Sequence, residues 1–531
     1  MEFSQLDLGI FVSYLVLMMG IGSWLAFKER ASNSQDYFLA SKSLPWWAVG
    51  GSLIASNISA EQMIGMAGSG FAIGLAISSY ELMAAATLII VAKFFLPIFL
   101  KRNIFTMPQF LEERFDGRVR TGLAIFWVLL FVFVNITSLL FLGGLAMQNI
   151  LGIPLFWGVI GLAIYSATFS IFGGLKTVVW TDVIQVVVLI LGGTIASILV
   201  LNALSDGSGV FSGLKILMEK APEKFDMIFA KDVTFTNIET GQQESAYALL
   251  PGLGVLIGGM WIANLYYWGF NQYIIQRALA AKNIREAQKG VVFAALIKIF
   301  IPFIVVIPGI AAFVLHADIS KADEAYPWII NHYVGFGFKG IVVAALVAAI
   351  GSSLSSMVNS TSTIYTLDIH KKLFDPNASE MKLVRIGRIV AALSILAGIL
   401  LTPVLKDFGQ IFQFIQEYTG FISPGILAIF LFGLFWKKTT THGALSAVFL
   451  AIPLSLGLKF WFGGLPFMDR MGISFLLLSL VIIGVSWFET ARGKETKGGE
   501  ISKGLFKTDS TFNLASVLIL GILAVIYALF W

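Results

Sequence analysis

Cysteine is absent from the 531 residues, which excludes disulfides, thiolate metal sites and cysteine nucleophiles. Charge is scarce too. Asp, Glu, Lys and Arg make up 13% of the chain, against about a quarter in soluble globular proteins. The four histidines, His316, His332, His370 and His442, fall in or beside polar connections with no metal-ligand spacing. No glycine-rich phosphate loop followed by lysine occurs, so an ATP-driven machine has no motif behind it. A nucleophile–base pair, a metal cluster and a cofactor motif are also missing, and an enzyme is not expected. Asn57, Asn135 and Asn359 each begin an Asn-X-Ser/Thr triplet, but within apolar runs, so they are set aside as glycosylation acceptors.

What is present is apolar. Hydrophobic residues account for 57% and mean hydropathy is +0.85. About fourteen runs reach the roughly 20 residues that a helix needs to cross a bilayer. An all-α membrane protein of about 14 transmembrane helices is expected. The first run should be retained, because Met1 to Asp7 carries no basic residue and Lys28 stands where a cleavage site would. Alternate connections beginning at 28–45 collect about 25 of the 36 basic residues, Arg30, Arg277 and Lys503 among them, against about nine on the other side. These connections are therefore assigned to the cytoplasm and both termini to the outside. The net charge of +5 becomes a topology signal, with the lipid bilayer as partner and no nucleic acid expected. The outward connection 205–247 reads as a solvated cap with room for a short surface helix, and 490–510 as a flexible linker.

Two runs are interrupted. Run 46–72 contains Ala55-Ser56-Asn57-Ile58-Ser59-Ala60-Glu61-Gln62 and then Gly65, Gly68 and Gly70. Run 248–275 contains Gly252, Gly254, Gly258 and Gly259, then Asn264 to Gln272. Small and polar residues at depth allow unwinding, which bares carbonyls that need a cation, water or ligand. As spans two and seven they lie five apart and point in opposite directions, as inverted repeats require. For either run alone, close helix packing through glycine and serine is the plainer account.

Ionisable groups in lipid cost roughly 2.5–3.5 kcal/mol each, and Glu61, Glu81, Asp182, Lys298 and Glu417 all fall within runs. Glu81 and Lys298 either neutralise one another or offer charge-assisted hydrogen bonds to a polyol. Ala349, Ser352 and Ser353, at i, i+3 and i+4, share one helix face. With carbonyls of the unwound second span they suit sodium, a hard cation that prefers oxygen; the bland account is bonding between helices. Asn264, Tyr267 and Trp268 repeat that spacing. An aromatic face beside amide and acid groups suits a sugar, and an interfacial aromatic belt is the alternative.

The stretches SKSLPWWAVGGSLIASNISAEQMIGM, VVWTDVIQV, WIANLYYWGFNQYIIQR, SSLSSMVNST and FQFIQEYTGFISPGILA resemble the sodium/solute symporter family, from about Ser34 to Trp436 and more weakly beyond. The resemblance implies a leucine-transporter-like fold of two five-helix inverted repeats. Residues 1–45 would form a first helix and inner loop, 46–204 the first repeat, 205–247 the outer loop, 248–436 the second repeat and 437–531 three further helices. It implies sodium as coupling ion, held by the carbonyls of Ala55, Ile58 and Ala349 and the hydroxyls of Ser352 and Ser353. Sugar hydroxyls would meet Gln62, Glu81, Asn264, Lys298 and Gln416, with Tyr267 stacking as inner gate beside Trp268. Met66, Tyr80 and Phe412 would form an outer lid, and Asp182 would help sodium leave. One departure stands out. The family's sugar-contacting serine, in a run written YEWMS, is replaced here in Tyr80-Glu81-Leu82-Met83-Ala84.

The expected function is sodium-coupled uptake of a galactose- or glucose-type hexose by alternating access, in a bacterial inner membrane and with no cofactor. Loss of the serine hydroxyl relaxes or shifts the choice among hexoses. The rivals are a proton-coupled carrier relaying through Glu81 or Asp182, a sodium-coupled carrier of another polyol or solute, and a channel or solute sensor on the same fold.

Overall fold

Backbone amides in an apolar slab can bond only one another, and the chain is helical almost throughout. The computed structural model describes residues 3–28, 33–407, 411–499, 502 and 504–531. Arg30 and Lys503 of the charge tally lie outside the described residues.

Helix α1 is Gln5–Lys28. The first interrupted span is α2 (Trp46–Asn57), a π turn over Glu61–Met66, and α3 (Ala67–Ile73). Then come α4 (Ser79–Ile90), α5 (Gly117–Leu129), α6 (Thr137–Leu151) and α7 (Leu155–Leu204). At 1.5 Å per residue the 50 residues of α7 would extend about 75 Å, over twice a bilayer core. The helix breaks instead at Gly174, with φ 61° and ψ −167°. Only glycine suits that backbone, and a Cβ there would lie 2.4 Å from the Tyr37 carbonyl oxygen.

The second interrupted span holds α8 (Gly259–Phe270) and α9 (Gln272–Leu279). It is followed by α10 (Ile284–Val314), α11 (Lys339–Ile364) and α12 (Glu380–Leu401). The short helices α13 (Ile411–Thr419) and α14 (Ser423–Phe435) lead to α15 (Thr441–Trp461), α16 (Phe467–Ala491) and α17 (Ser510–Leu529). Among the described residues ten helices are long and apolar enough to cross a membrane, or eleven with the pair bent by 74° about Gly258. That count leaves out the shorter apolar helix α14 and takes α7 as one.

The two interruptions match in detail. α2 and α8 are both 12 residues long. Each is capped by an extended residue, Ile58 (φ −76°, ψ 106°) after α2 and Asn271 (φ −77°, ψ 122°) after α8, with helix resuming at Ala60 and Gln272. The glycines of run 248–275 mark a different bend, at Gly258.

Burial separates centre from edge. In α11 and its π extension to Phe374, 94% of the most apolar window is buried, against 22% for α1 and for α17. α11 packs along α7, and α2 along α10. The α2–α10 crossing is glycine on glycine: a Cβ on Gly50 would lie 2.6 Å from the Gly290 carbonyl oxygen, and one on Gly290 2.6 Å from that of Trp46.

The connection 205–247 contains a surface helix, Val210–Lys220, and a hairpin pairing Thr234 with Ser245. It is tied down at two points. Met227 N donates to the Phe530 carbonyl at 2.7 Å. Lys224 Nζ donates to the Ala72 carbonyl at the end of α3, 2.6 Å away, and lies 4.0 Å from the Phe313 ring centre.

One assignment needs correction. Arg277, counted with the inward connections, is fully buried in α9 and ion-paired to Asp182, with Arg277 Nη2 3.7 Å from Asp182 Oδ2. A buried guanidinium needs such a partner, so Arg277 carries no topology signal.

Candidate functional site

The end of α2 frees its last carbonyls. Ile58 N still donates to the Ile54 oxygen at 2.9 Å, but the extended backbone that follows leaves the next carbonyls without helical donors. Serines of α11 take up two of them. Ser352 Oγ donates to the Ala55 oxygen at 2.5 Å, and Ser353 Oγ to the Ser56 oxygen at 2.9 Å. Ser352 Oγ also lies 3.1 Å from the Ala349 oxygen, and Ser353 Oγ 3.4 Å from that of Ala55. All are buried. Five neutral oxygens thus lie together at the end of α2, a donor set that suits a hard monovalent cation. Among the described residues no group of three or more His, Asp or Glu side chains could hold a metal.

The next residue of α2 opens a second site. Asn57 Nδ2 donates to the Tyr267 hydroxyl at 2.9 Å, and Asn57 Oδ1 accepts from Lys298 Nζ. Lys298 is also ion-paired to Glu81 and lies 5.1 Å from the Trp268 ring centre. Tyr273 donates to the Tyr267 hydroxyl. These residues line one cavity with Gln62, Asn264 and Gln416. Ala84 lines it too, presenting a methyl where a serine would present a hydroxyl.

Each of the expected sugar-contact residues therefore lines this cavity. Met66, Tyr80 and Phe412 also line it, with the rings of Tyr80 and Phe412 edge to face at 5.4 Å. Gln62 Oε1 accepts from Ser59 N and Oγ at 3.0 and 2.9 Å, which leaves its NH2 free to donate. Glu417 stands apart: it is ion-paired to Arg470 and Lys459, at 2.8 and 3.1 Å.

Six buried polar atoms of residues that line the cavity lack a hydrogen-bond partner among the described residues: Glu61 Oε1, the Tyr80 and Tyr266 hydroxyls, Asn135 Oδ1, Asn271 Oδ1 and Ser423 Oγ. Unpaired buried polar atoms are costly, about 1–3 kcal/mol each. A guest rich in hydroxyls would answer them. The roles of Asn57, Asn135 and Asn271 were missed from sequence, although Asn57 and Asn135 were in view as triplet asparagines. Their depth within apolar runs was the signal.

On the far side of α2, Asp182 Oδ2 accepts from Ser52 Oγ at 2.6 Å and from Ser56 Oγ at 3.3 Å. Ser56 and Ser356 hydroxyls lie 2.9 Å apart, and Arg277 reaches both Ser52 and Ser356. The face of α2 opposite the cavity thus carries a buried charged network.

Comparison with known proteins gives a consistent picture. Residues 37–451 match the model of the sodium:solute symporter family. A Vibrio parahaemolyticus protein named a sodium/glucose cotransporter is 49% identical over 99% of this chain and 98% of its own. A human sodium/myo-inositol cotransporter 2 is 33% identical over 85% of this chain and 69% of its own. Among solved structures, the outward-open, substrate-bound state of a sodium-coupled sialic acid symporter aligns with a TM-score of 0.77 at 22% identity. It covers 92% of this chain and 98% of that one, and the likeness is one of fold.

Proposed function

The chain belongs to the sodium:solute symporter family, a family of transporters and not enzymes, and from that premise we propose that it takes up a glucose- or galactose-type hexose together with sodium. The observation that carries this reading is the adjacency of the two sites. Ala55 and Ser56 offer their carbonyls to the serine cluster, and Asn57, next in the chain, faces the cavity.

Sodium is held by the carbonyls of Ala55, Ile58 and Ala349 with Ser352 and Ser353. It takes the place of the serine protons on the Ala55 and Ala349 carbonyls and fixes the end of α2. That sets Asn57, and through it Tyr267 and Lys298, for the sugar. Sugar hydroxyls bond Gln62, Glu81, Asn264, Lys298 and Gln416, while Tyr267 and Trp268 meet the C–H face. Met66, Tyr80 and Phe412 close over it. Asp182 receives sodium on its way inward. Linkage then requires each ligand to tighten the other by the same factor.

The architecture we propose has fourteen crossings with both termini outward, in a bacterial inner membrane. Residues 46–204 and 248–436 are the inverted repeats, joined by the outer loop 205–247 and flanked by 1–45 and 437–531. The matched ends of α2 and α8 support that symmetry. Proton coupling through Glu81 or Asp182 is disfavoured, because both carboxylates are ion-paired.

The test is uptake of labelled glucose and galactose into proteoliposomes, under an inward sodium gradient or with potassium replacing sodium. Wild type should accumulate sugar only with sodium, and Ser353→Ala should lose the accumulation. Equal uptake in both salts would overturn sodium coupling. No uptake of either hexose by folded protein would overturn the sugar assignment.

A further inference from the structure

A third site, sharing no lining residue with the cavity, lies between α10 and α17 at the end of the bundle that the charge pattern assigns to the cytoplasm. A cleft of about 670 Å³ there is lined by Lys42, Lys101, Lys282, Arg285 and Lys507. One carboxylate, Asp509, faces the five cations, and its Oδ1 already caps α17 by accepting from Phe512 N at 2.8 Å. Lys42 and Lys101 bond only neutral atoms, Asn103 Oδ1 and Ser502 Oγ, each at 3.0 Å. Lys282, Arg285 and Lys507 are exposed, and among the described residues none of the five has a carboxylate partner. Nearby Glu286 is occupied by the backbone N–H of Trp46, at 2.7 Å. Five unneutralised cations around one hollow repel one another unless an anion sits among them.

An apolar groove of about 360 Å³ lies further along the same two helices. On α10 the stripe runs Arg285, Lys289, Val292, Leu296 at helical spacing; opposite it, Thr508 just ahead of α17 is followed by Phe512, Ala515 and Leu518 on that helix. From Arg285 to Leu296 is about 16 Å of helix, close to half of a bilayer core. Trp46, 38% exposed with its ring edge to face against Phe293 at 5.4 Å, stands in the groove. Tryptophan favours the boundary between headgroups and hydrocarbon. Charge, an aromatic boundary and an apolar channel follow one another in the order found along one lipid.

We propose that this cleft and groove bind one anionic phospholipid of the inner leaflet, its phosphate among Lys282, Arg285 and Lys507 and an acyl chain between α10 and α17. The lipid then serves as packing for α17, a helix with little protein around it. The proposal depends on the membrane reading of the chain and not on which solute it carries.

The experiment follows thermal unfolding of the purified full-length protein in detergent while phosphatidylglycerol or phosphatidylcholine is added. Phosphatidylglycerol should raise the unfolding temperature by roughly 3 °C or more, through binding to the folded state alone, and phosphatidylcholine should not. The response should vanish in Lys282→Gln/Arg285→Gln/Lys507→Gln and weaken in Ala515→Trp, which fills the groove. It should persist in Lys371→Gln/Arg385→Gln, which removes charge elsewhere on the same face. Three outcomes would overturn the proposal: a full response in the triple variant, equal loss in the control variant, or the same shift with inorganic phosphate alone, which would make the occupant a free anion.

Discussion

Ser353 Oγ donates to the Ser56 carbonyl oxygen across 2.9 Å, tying α11 to α2 at the turn where α2 stops being helical. Ser56 in turn shares a hydroxyl contact of 2.9 Å with Ser356 on the same helix. The most buried helix of the bundle therefore senses directly whether the break in α2 is ordered. Coupling of ion and solute needs no long pathway, since Asn57 belongs to the same turn.

The Lys298–Glu81 pair is buried on both sides, and removing one partner leaves a charge with no counter-ion. Glu81→Ala should lower folded stability by roughly 3–5 kcal/mol. Glu81→Ala combined with Lys298→Met should recover much of that loss while leaving uptake abolished. Thermal unfolding followed by size-exclusion chromatography measures the first effect and proteoliposome uptake the second. A double variant less stable than Glu81→Ala would mean that the two residues do not act as a pair.

Ala84 predicts altered discrimination between hexoses. Ala84→Ser adds a hydroxyl on the cavity wall, and a hydroxyl matched to one sugar epimer changes preference by roughly tenfold. Competition of unlabelled galactose and glucose against labelled sugar should show the ratio shift toward one of them. An unchanged ratio would show that the Ala84 methyl does not contact the sugar.

Gly174 holds a left-handed backbone against the Tyr37 carbonyl. Gly174→Ala should therefore cost roughly 1–3 kcal/mol, seen as a lower unfolding temperature. Gly161→Ala, at a helical position with open space around it, should be neutral. Equal effects of the two would contradict the strained turn.

Lys224 lies in the connection 205–247, and burial lowers its pKa from 10.5 to about 8, despite the opposing pull of Glu223. The sign follows from proton counting. Below pH 8 the ammonium is charged in both folded and unfolded chains, and the folded state bears the full burial penalty. Between about 8 and 10.5 only the unfolded chain keeps the proton, so stability rises with pH. Wild type should gain thermal stability relative to Lys224→Met between pH 7.5 and 10. A constant difference across that range would exclude the buried ammonium as its source.

Much of this was legible in the sequence, for identifiable reasons. Apolar runs report lipid contact directly, so the helices and their order could be read. The break in α2 could be read because Ser56 to Gln62 is polar at mid-span. The break at Asn271 fell within the polar stretch Asn264 to Gln272 but was not located there, because the glycines upstream also marked the bend at Gly258. Arg277 was misassigned for a related reason. Its environment is set by Asp182, Ser52 and Ser356, distant in sequence, and nothing in QYIIQRAL announces them. Asn57, Asn135 and Asn271, unlike Asn264, stayed hidden because one side chain's orientation depends on the packing of many helices.

The glycine-on-glycine crossing of α2 and α10 makes a fulcrum. Gly50 and Gly290 bring the two backbones together with no side chain between them, while Asn57 and Lys298 join the same two helices further along. The lever arms, seven and eight residues long, measure about 10 and 12 Å. A tilt of about 5° at the fulcrum would part the arm tips by about 1 Å, enough to break a hydrogen bond. The Asn57–Lys298 bond thus acts as a catch at the end of a short lever, and small rotations at the crossing decide whether it holds.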